Sequence, residues 1–271
     1  MKAYLNGRLV DLETAAIDVS DRGFTLGDGL YETIAVRLGR PARLAAHLAR
    51  LRLGAQVIGL DIPGDDARLA AALESIIAAN DIKEGVLRLT VSRGPAPRGL
   101  MPPAAATPTL LITGRAQALG ARPPAKAIVA TGTRRNELSP LAAIKSTNCL
   151  DAIMALREAA ARGCDEALLR NTKGDLAEAT AANLFVVIDG RTLTPGIGDG
   201  ALAGVMRADL IAALDARERT LSPADLAKAS EAFLTSSLGI RPLVEVDGRP
   251  IGDGRPGPIT GKAQALAWPS I

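Results

Sequence analysis

Two residues stand out because their surroundings do not explain their charge. Lys145 lies in Leu141-Ala142-Ala143-Ile144-Lys145-Ser146-Thr147-Asn148-Cys149-Leu150, where an apolar stretch passes into a polar turn and then a helix. The chain has seven lysines, and Lys145 alone follows an apolar run with no acid within five residues. Burial without a counter-ion depresses an amine's pKa and makes it a nucleophile toward carbonyls. The competing reading is a packed stem whose ammonium head reaches water. Glu178 stands among small and apolar residues in Gly174-Asp175-Leu176-Ala177-Glu178-Ala179-Thr180-Ala181-Ala182-Asn183-Leu184-Phe185, directly before a strand that reads as buried. A carboxylate there needs a positive or proton-bearing partner, unless it simply edges a loop.

Two further segments suit an anion. Ala201-Leu202-Ala203-Gly204-Val205-Met206-Arg207 enters a helix through a glycine, and the free N–H groups of a helix start bind phosphate. Phe233-Leu234-Thr235-Ser236-Ser237-Leu238-Gly239 leaves a strand into three hydroxyl residues and a glycine. Helix starts and Ser/Thr turns are common, so neither segment is specific by itself. Arg88 falls in mid-strand, where a buried charge is costly, so it either points to solvent from an edge or meets an anion.

The elements that must position these residues follow from periodicity. Asn6-Gly7 joins two short strands as a hairpin turn. Residues 20–29 read as a glycine-containing loop feeding a strand over 30–36. Leu44, Leu48, Leu51 and Ala55 predict a helix over 44–58, on which His47 and Arg50 share a direction. The lone histidine is expected on the helix surface or partly packed rather than as a catalyst. A second helix spans 65–79, and strands span 85–94 and 109–113. The stretch 95–103, rich in proline, reads as a mobile loop carrying Arg98. Residues 115–124 lack periodicity and contain Gly120, Pro123 and Pro124, which marks them as an interdomain linker. Beyond them strands and helices alternate, as in α/β or mixed α+β sheets.

Composition narrows the function. With 48% hydrophobic residues the chain is globular, while 2% aromatics argues against stacking on single-stranded nucleic acid. A net charge of +3 without a basic block gives no nucleic-acid footprint. Two cysteines imply a reducing compartment, and a single histidine argues against a zinc site of nitrogen and sulfur ligands. No signal peptide or membrane span is apparent, so a soluble cytoplasmic protein without a membrane or nucleic-acid partner is expected.

Taken in order, Gly27-Asp28-Gly29-Leu30-Tyr31-Glu32, His47-Leu48-Ala49-Arg50-Leu51, Lys145-Ser146-Thr147-Asn148, Glu178 with Asn183, and Thr235-Ser236-Ser237 resemble the class IV (fold type IV) pyridoxal-phosphate aminotransferases. That group holds D-amino acid aminotransferases, branched-chain aminotransferases and aminodeoxychorismate lyases. The resemblance runs from Tyr4 to about Pro258. It implies a two-domain, mixed α/β fold: a smaller domain over 1–114, the linker 115–124, and a larger domain over 125–271 carrying Lys145. It also implies pyridoxal 5′-phosphate as cofactor, with Lys145 linked to it and later moving the proton, and Glu178 holding the pyridine nitrogen protonated.

In the same resemblance Arg50 binds the phosphate, with the backbone of Val205 and Met206 and with Ser236 or Ser237. Where relatives often carry threonine this chain has Met206, so that contact would pass to backbone or water. Tyr31 would flank the cofactor on the substrate side. In typical D-amino acid members a histidine follows two residues after the arginine matching Arg98, and the two trap the substrate carboxylate. This chain has Leu100 there, which leaves the trap incomplete. Arg88 matches a strand arginine of branched-chain relatives and could take over. The implied activity is transamination between an amino acid, D-type or of broad specificity, and a 2-oxo acid. The alternatives are an aminodeoxychorismate lyase and an inactive binding protein on the same fold. A homodimer is implied, with active sites near domain and subunit interfaces and the Arg98 loop crossing to the neighbour.

Overall fold

The computed structural model of the chain describes residues 1–120 and 122–268. It divides into two compact units, Met1–Leu119 with Ile144–Asn148, and Gly120–Ala143 with Cys149–Ile271.

The first unit is built on a six-stranded sheet. Strands β1 (Lys2–Leu5) and β2 (Arg8–Asp11) form the hairpin, with both Asn6 and Gly7 at positive φ as a two-residue turn demands. Residues 20–29, read from sequence as loop, contain a short helix, α1 (Arg22–Leu26), whose N-terminus Asp21 caps by accepting from the Gly23 N–H. At five residues it is too short to show a helical period. Then follow β3 (Gly29–Arg37), β4 (Arg40–Pro41), α2 (Leu44–Ile58), α3 (Asp66–Ala79), β5 (Gly85–Ser92) and β6 (Thr109–Ala116). The sheet order is β2-β1-β6-β5-β3-β4. Alternation sets its two faces. Leu30, Ile34, Leu87, Leu89 and Val91 point into a core shared with Leu48 and Leu51 of α2 and Leu69, Leu73 and Ile76 of α3. Tyr31, Thr33, Arg88 and Thr90 line the other face, less buried. Because β6 runs on to Ala116, the first two residues of the expected linker are strand, paired with Gly85 and Val86. Ala121 of that linker lies outside the described residues.

The second unit holds, among the described residues, nine strands and three α-helices. They are β7 (Ala125–Val129), α4 (Leu150–Ala161), β8 (Glu166–Arg170), β9 (Leu176–Ala179), β10 (Asn183–Ile188), β11 (Arg191–Thr194), α5 (Val205–Ala213), β12 (Arg217–Glu218), β13 (Glu231–Ser236), β14 (Gly239–Val246), β15 (Arg249–Pro250) and α6 (Pro258–Ala267). The sheet order is β12-β11-β10-β13-β14-β7-β8-β9, with β15 on β14. Strands β7 and β8 pair in parallel around the α4 crossover. Central strands are buried on both faces: Leu184, Val186 and Ile188 enter one core, while Phe185 stacks on Phe233 in another with α5 and α6. Glu178, for which a loop edge is the alternative to a partnered carboxylate, sits inside β9, whose four residues are all buried.

One segment leaves its sequence neighbours. Lys145 is expected in the larger, C-terminal domain, yet Ile144–Asn148 belongs to the first unit. It runs antiparallel beside the start of β3, bridging Leu30 to Ser146. The Tyr31 N–H donates to the Lys145 carbonyl at 3.0 Å, and the Thr147 N–H to Gly29 at 3.0 Å. The Thr147 hydroxyl adds a bond to the Gly27 carbonyl at 2.7 Å, and Ile144 is buried in the first core. Satisfying the open edge of β3 is therefore what draws the lysine there. Thr147→Val, which keeps shape and removes the hydroxyl, is expected to lower stability by about 1 kcal/mol in urea unfolding; no change would mean the hydroxyl does not tie the segment down.

Candidate active site

In the first unit, β3 and the 144–148 segment bring Lys145 against Tyr31. The lysine Nζ stands 3.4 Å from the Tyr31 hydroxyl and 4.4 Å from the ring centroid. Arg88 lies over the same ring, its Cζ 3.9 Å from the centroid. The register explains this: Tyr31 pairs with Thr90 and Thr33 with Arg88, so Tyr31 and Arg88 are diagonal neighbours on one face. Of the two fates open to Arg88, the structure shows an exposed side chain resting on an aromatic ring. Lys145, read from sequence as lacking a partner, has the phenol beside it.

The opposite face of β3 carries the other charged cluster. Glu32 is fully buried. It accepts from Arg50 through Nε at 2.8 Å and Nη2 at 2.6 Å, and its Oε2 lies 2.7 Å from His47 Nδ1. The one-step spacing on α2 does aim His47 and Arg50 together, but His47 is completely buried rather than on the helix surface. From sequence, Arg50 has a role and Glu32 none beyond its place in the 27–32 motif, although a carboxylate between Leu30 and Ile34 on an apolar face is a detectable signal. Burial pushes the Glu32 carboxyl up, but hydrogen bonds from His47 and Arg50 and their charge outweigh it, so its pKa lies below the ordinary glutamate value.

A second carboxylate, Asp28, is half-buried and bridges two arginines. It accepts from Arg22 Nε at 2.8 Å and from Arg93 Nε at 2.7 Å. Burial raises its pKa, and the hydrogen bonds and charges of Arg93 and Arg22 overcome that rise and leave it lowered. Arg98 is exposed on the loop that follows.

In the second unit Glu178 has the partners its burial requires. Its Oε1 is 3.1 Å from Arg135 Nε, and Oε2 accepts from the Leu202 N–H at 3.0 Å and from Asn183 Nδ2 at 3.3 Å. Arg135 is held in turn by the carbonyls of Gly200 and Ala142. No sequence signal marked Arg135, which sits in an irregular stretch. Asn183 also donates to the Leu202 carbonyl at 2.8 Å, and a Cβ on Gly204 would come within 2.0 Å of its Oδ1, so a side chain at the start of α5 would displace Asn183 from its contacts. No side chain caps that helix start, at Gly204. Val205 and Met206 follow, both buried; the Met206 side chain packs with Phe185 and Phe233, which leaves only its N–H for a ligand. Next to Asn183 in register is Thr235, buried, with its hydroxyl lacking a partner among the described residues. Ser236 and Ser237 follow it, half-buried, in the turn to β14.

An uncapped helix start, an orphaned buried hydroxyl and two serines fit a phosphate; a carboxylate held by a guanidinium and amides fits the protonated nitrogen of a heteroaromatic ring. Among the described residues no cluster of three or more His, Cys, Asp and Glu could hold a metal, and no helix is long and apolar enough to cross a membrane.

A two-unit mixed α/β fold with this amine and these anion-binding elements is the framework of an aminotransferase, and comparison agrees. Residues 29–246 match the family model for amino-transferase class IV, and the chain belongs to that family of enzymes. It is 31% identical to a D-alanine aminotransferase of Bacillus licheniformis, covering 100% of this chain and 97% of that one. It is 33% identical to a putative branched-chain-amino-acid aminotransferase of Methanocaldococcus jannaschii, covering 97% and 93%. Among solved structures it resembles the branched-chain amino acid aminotransferase of Escherichia coli, with a TM-score of 0.92 at 27% identity, covering 97% of this chain and 92% of that one.

The Glu32 cluster generates a pH prediction. With its folded-state pKa below the unfolded one, the unfolded chain binds more protons in the interval between them. The stabilisation is complete above the ordinary glutamate range and is lost as pH falls through it toward the lowered value. Glu32→Gln should flatten that acid decline in urea midpoints measured against pH and cost about 3–5 kcal/mol at neutral pH, because Arg50 keeps its charge in a largely buried place.

Proposed function

We propose that this chain is a pyridoxal 5′-phosphate-dependent transaminase that takes an amino group from an amino acid, D-type or over a broad range, and delivers it to a 2-oxo acid. The observation carrying this reading is the meeting of the Lys145 amine and the Arg88 guanidinium on the single ring of Tyr31. An amine that attacks carbonyls and a cation that can pair with a carboxylate stand on one sheet face, which is what an amino or 2-oxo acid requires.

When bound, pyridoxal phosphate supplies a carbonyl that condenses with amines and a ring that accepts electrons. Lys145 would be the residue that holds it through its amine, and its Nζ is the group that would carry a proton. Tyr31, whose hydroxyl adjoins that Nζ, orients the amine and flanks the substrate. Glu178 keeps a proton on the ring nitrogen, its own charge braced by Arg135. Arg50, the N–H groups of Val205 and Met206, and the hydroxyls of Ser236 and Ser237 hold the phosphate, and Glu32 fixes the Arg50 fork. Arg88 and Arg98 bind the substrate carboxylate, with Arg88 favoured because Leu100 stands where a histidine would complete the Arg98 pair. The reading also takes the protein to be a cytoplasmic homodimer, in keeping with a chain of only two cysteines. Sedimentation should then give twice 28.0 kDa.

The purified protein should absorb visible light, and borohydride should leave the cofactor on a Lys145 peptide. Lys145→Ala should abolish turnover in a folded protein; full activity in that variant would remove the assignment. A panel of D- and L-amino acids as half-reaction donors sets the stereochemistry. Pyruvate released from aminodeoxychorismate without an amino acceptor would mark lyase chemistry instead, and colourless protein would mark a binding protein. Arg88→Ala and Arg98→Ala are expected to raise KM for carboxylate substrates about 10- to 100-fold, the scale of a lost charge-assisted hydrogen bond. If neither does, the carboxylate is held elsewhere.

A further inference from the structure

The loop between β5 and β6 carries Arg98, and its two ends are tied to the 20–28 segment. The Arg22 N–H donates to the Gly94 carbonyl at 2.9 Å, the Arg93 N–H to Asp28 at 3.0 Å, and Asp21 bridges to Pro95. The same Asp21 carboxylate accepts from Ser92 Oγ at 2.9 Å and Thr109 Oγ1 at 2.6 Å, the residues where the loop leaves one strand and rejoins the other. Gly94 makes this closure possible: at φ +83°, a Cβ there would lie 1.9 Å from the Thr107 carbonyl oxygen. Helix α1 is thereby fastened to both ends of the loop.

From α1 a single side chain reaches the middle of the loop. Arg22 is 4% exposed, and its guanidinium has no water to satisfy it. Nε donates to Asp28 at 2.8 Å, while Nη1 and Nη2 donate to the carbonyls of Gly99 and Leu100, each at 2.8 Å. Among the described residues these are the hydrogen bonds that hold the stretch 97–106. Both fall on the two residues directly after Arg98. Asp28 fixes the Arg22 fork and is itself fixed by Arg93, which also caps the C-terminal carbonyls Ile58 and Gly59 of α2 at 2.8 Å. The chain of contacts therefore runs from the end of α2 through Arg93, Asp28 and Arg22 to the loop.

We propose that Arg22 is a positioning residue: its buried, Asp28-braced guanidinium clamps the backbone just beyond Arg98 and so sets where the Arg98 side chain meets the substrate carboxylate. The first half concerns the loop alone; the second rests on the carboxylate role given to Arg98 above. The three acceptors are spread around Nε, Nη1 and Nη2 of a planar fork, a geometry that the compact ammonium of lysine does not match.

The bond Arg98–Gly99 is itself a trypsin site, which supplies a readout separate from activity. Arg22→Ala and Arg22→Lys, each as the full-length protein, are digested under native conditions and cleavage at 98–99 is followed by mass spectrometry. Asp28 keeps its pair with Arg93 in both variants, so circular dichroism should be retained, and Arg22→Lys serves if Arg22→Ala does not fold. Loss of the clamp should speed cleavage roughly tenfold, as expected for a local opening relieved of two hydrogen bonds. KM for carboxylate substrates should rise with little change in kcat, and adding Arg98→Ala should raise KM no further than Arg98→Ala does alone. Cleavage at the wild-type rate in the folded variants overturns the proposal. Faster cleavage with KM unchanged upholds the clamp and removes Arg98 from the carboxylate site.

Discussion

The chemistry proposed for the Lys145 amine depends on the pairing of five residues with the open side of one strand. Ile144–Asn148 lies beside the start of β3 through two main-chain hydrogen bonds, Tyr31 to Lys145 and Thr147 to Gly29. Backbone groups left unpaired at a buried edge carry a desolvation cost, so the segment is drawn there whatever its side chains do. Alternation then does the rest. With Ile144 turned into the core of the first unit, Lys145 is turned out of it, onto the face that carries Tyr31 and Arg88. A register slip of one residue would bury the amine and expose the isoleucine.

That same strand separates two kinds of charge. On its outer face the cations rest on an aromatic ring and remain accessible to a ligand. On its inner face Glu32 is sealed under α2 with His47 and Arg50. A buried ion pair contributes little net stability compared with well-packed apolar residues, since desolvation cancels most of the attraction. Its value here is geometric: a bidentate contact fixes a guanidinium far better than a surface position would, as the phosphate role proposed for Arg50 requires. Asp28 does the same for Arg22 and Arg93. In both clusters a carboxylate just before or within β3 immobilises arginines that come from other elements.

The parts of this arrangement written in local periodicity were readable. The helix over 44–58 follows from its leucine spacing, and with it the shared direction of His47 and Arg50. The lysine was detectable because an apolar run led into it. The parts that escaped depend on distant partners. Five residues of α1 carry too little pattern to separate from a loop, and its cap by Asp21 also involves Ser92 and Thr109, far along the chain. Strand β9 was hidden because its one charged residue, Glu178, looked like a boundary; its burial is made possible by Arg135, which nothing nearby in sequence announces. The linker was drawn two residues too early because composition changes before the β5–β6 ladder ends. The 144–148 segment was placed in the wrong unit because strand pairing with β3 has no signature in the segment itself.

The two arginines proposed for one carboxylate differ in where each is mounted. Arg88 stands on a strand paired with β3 along its whole length, and its side chain leans on Tyr31. Its position is set by the sheet. Arg98 stands on a loop whose only hydrogen-bonded hold beyond Ala96, among the described residues, is the Arg22 fork. A strand-mounted cation is preorganised and costs little to order when a ligand arrives, whereas a loop-mounted one must be kept in place by its neighbours. As proposed carboxylate ligands the two are therefore not equivalent. The strand arginine is held by the sheet whatever the loop does, whereas the loop arginine can be re-aimed by changing its clamp without disturbing the sheet beside which the amine lies.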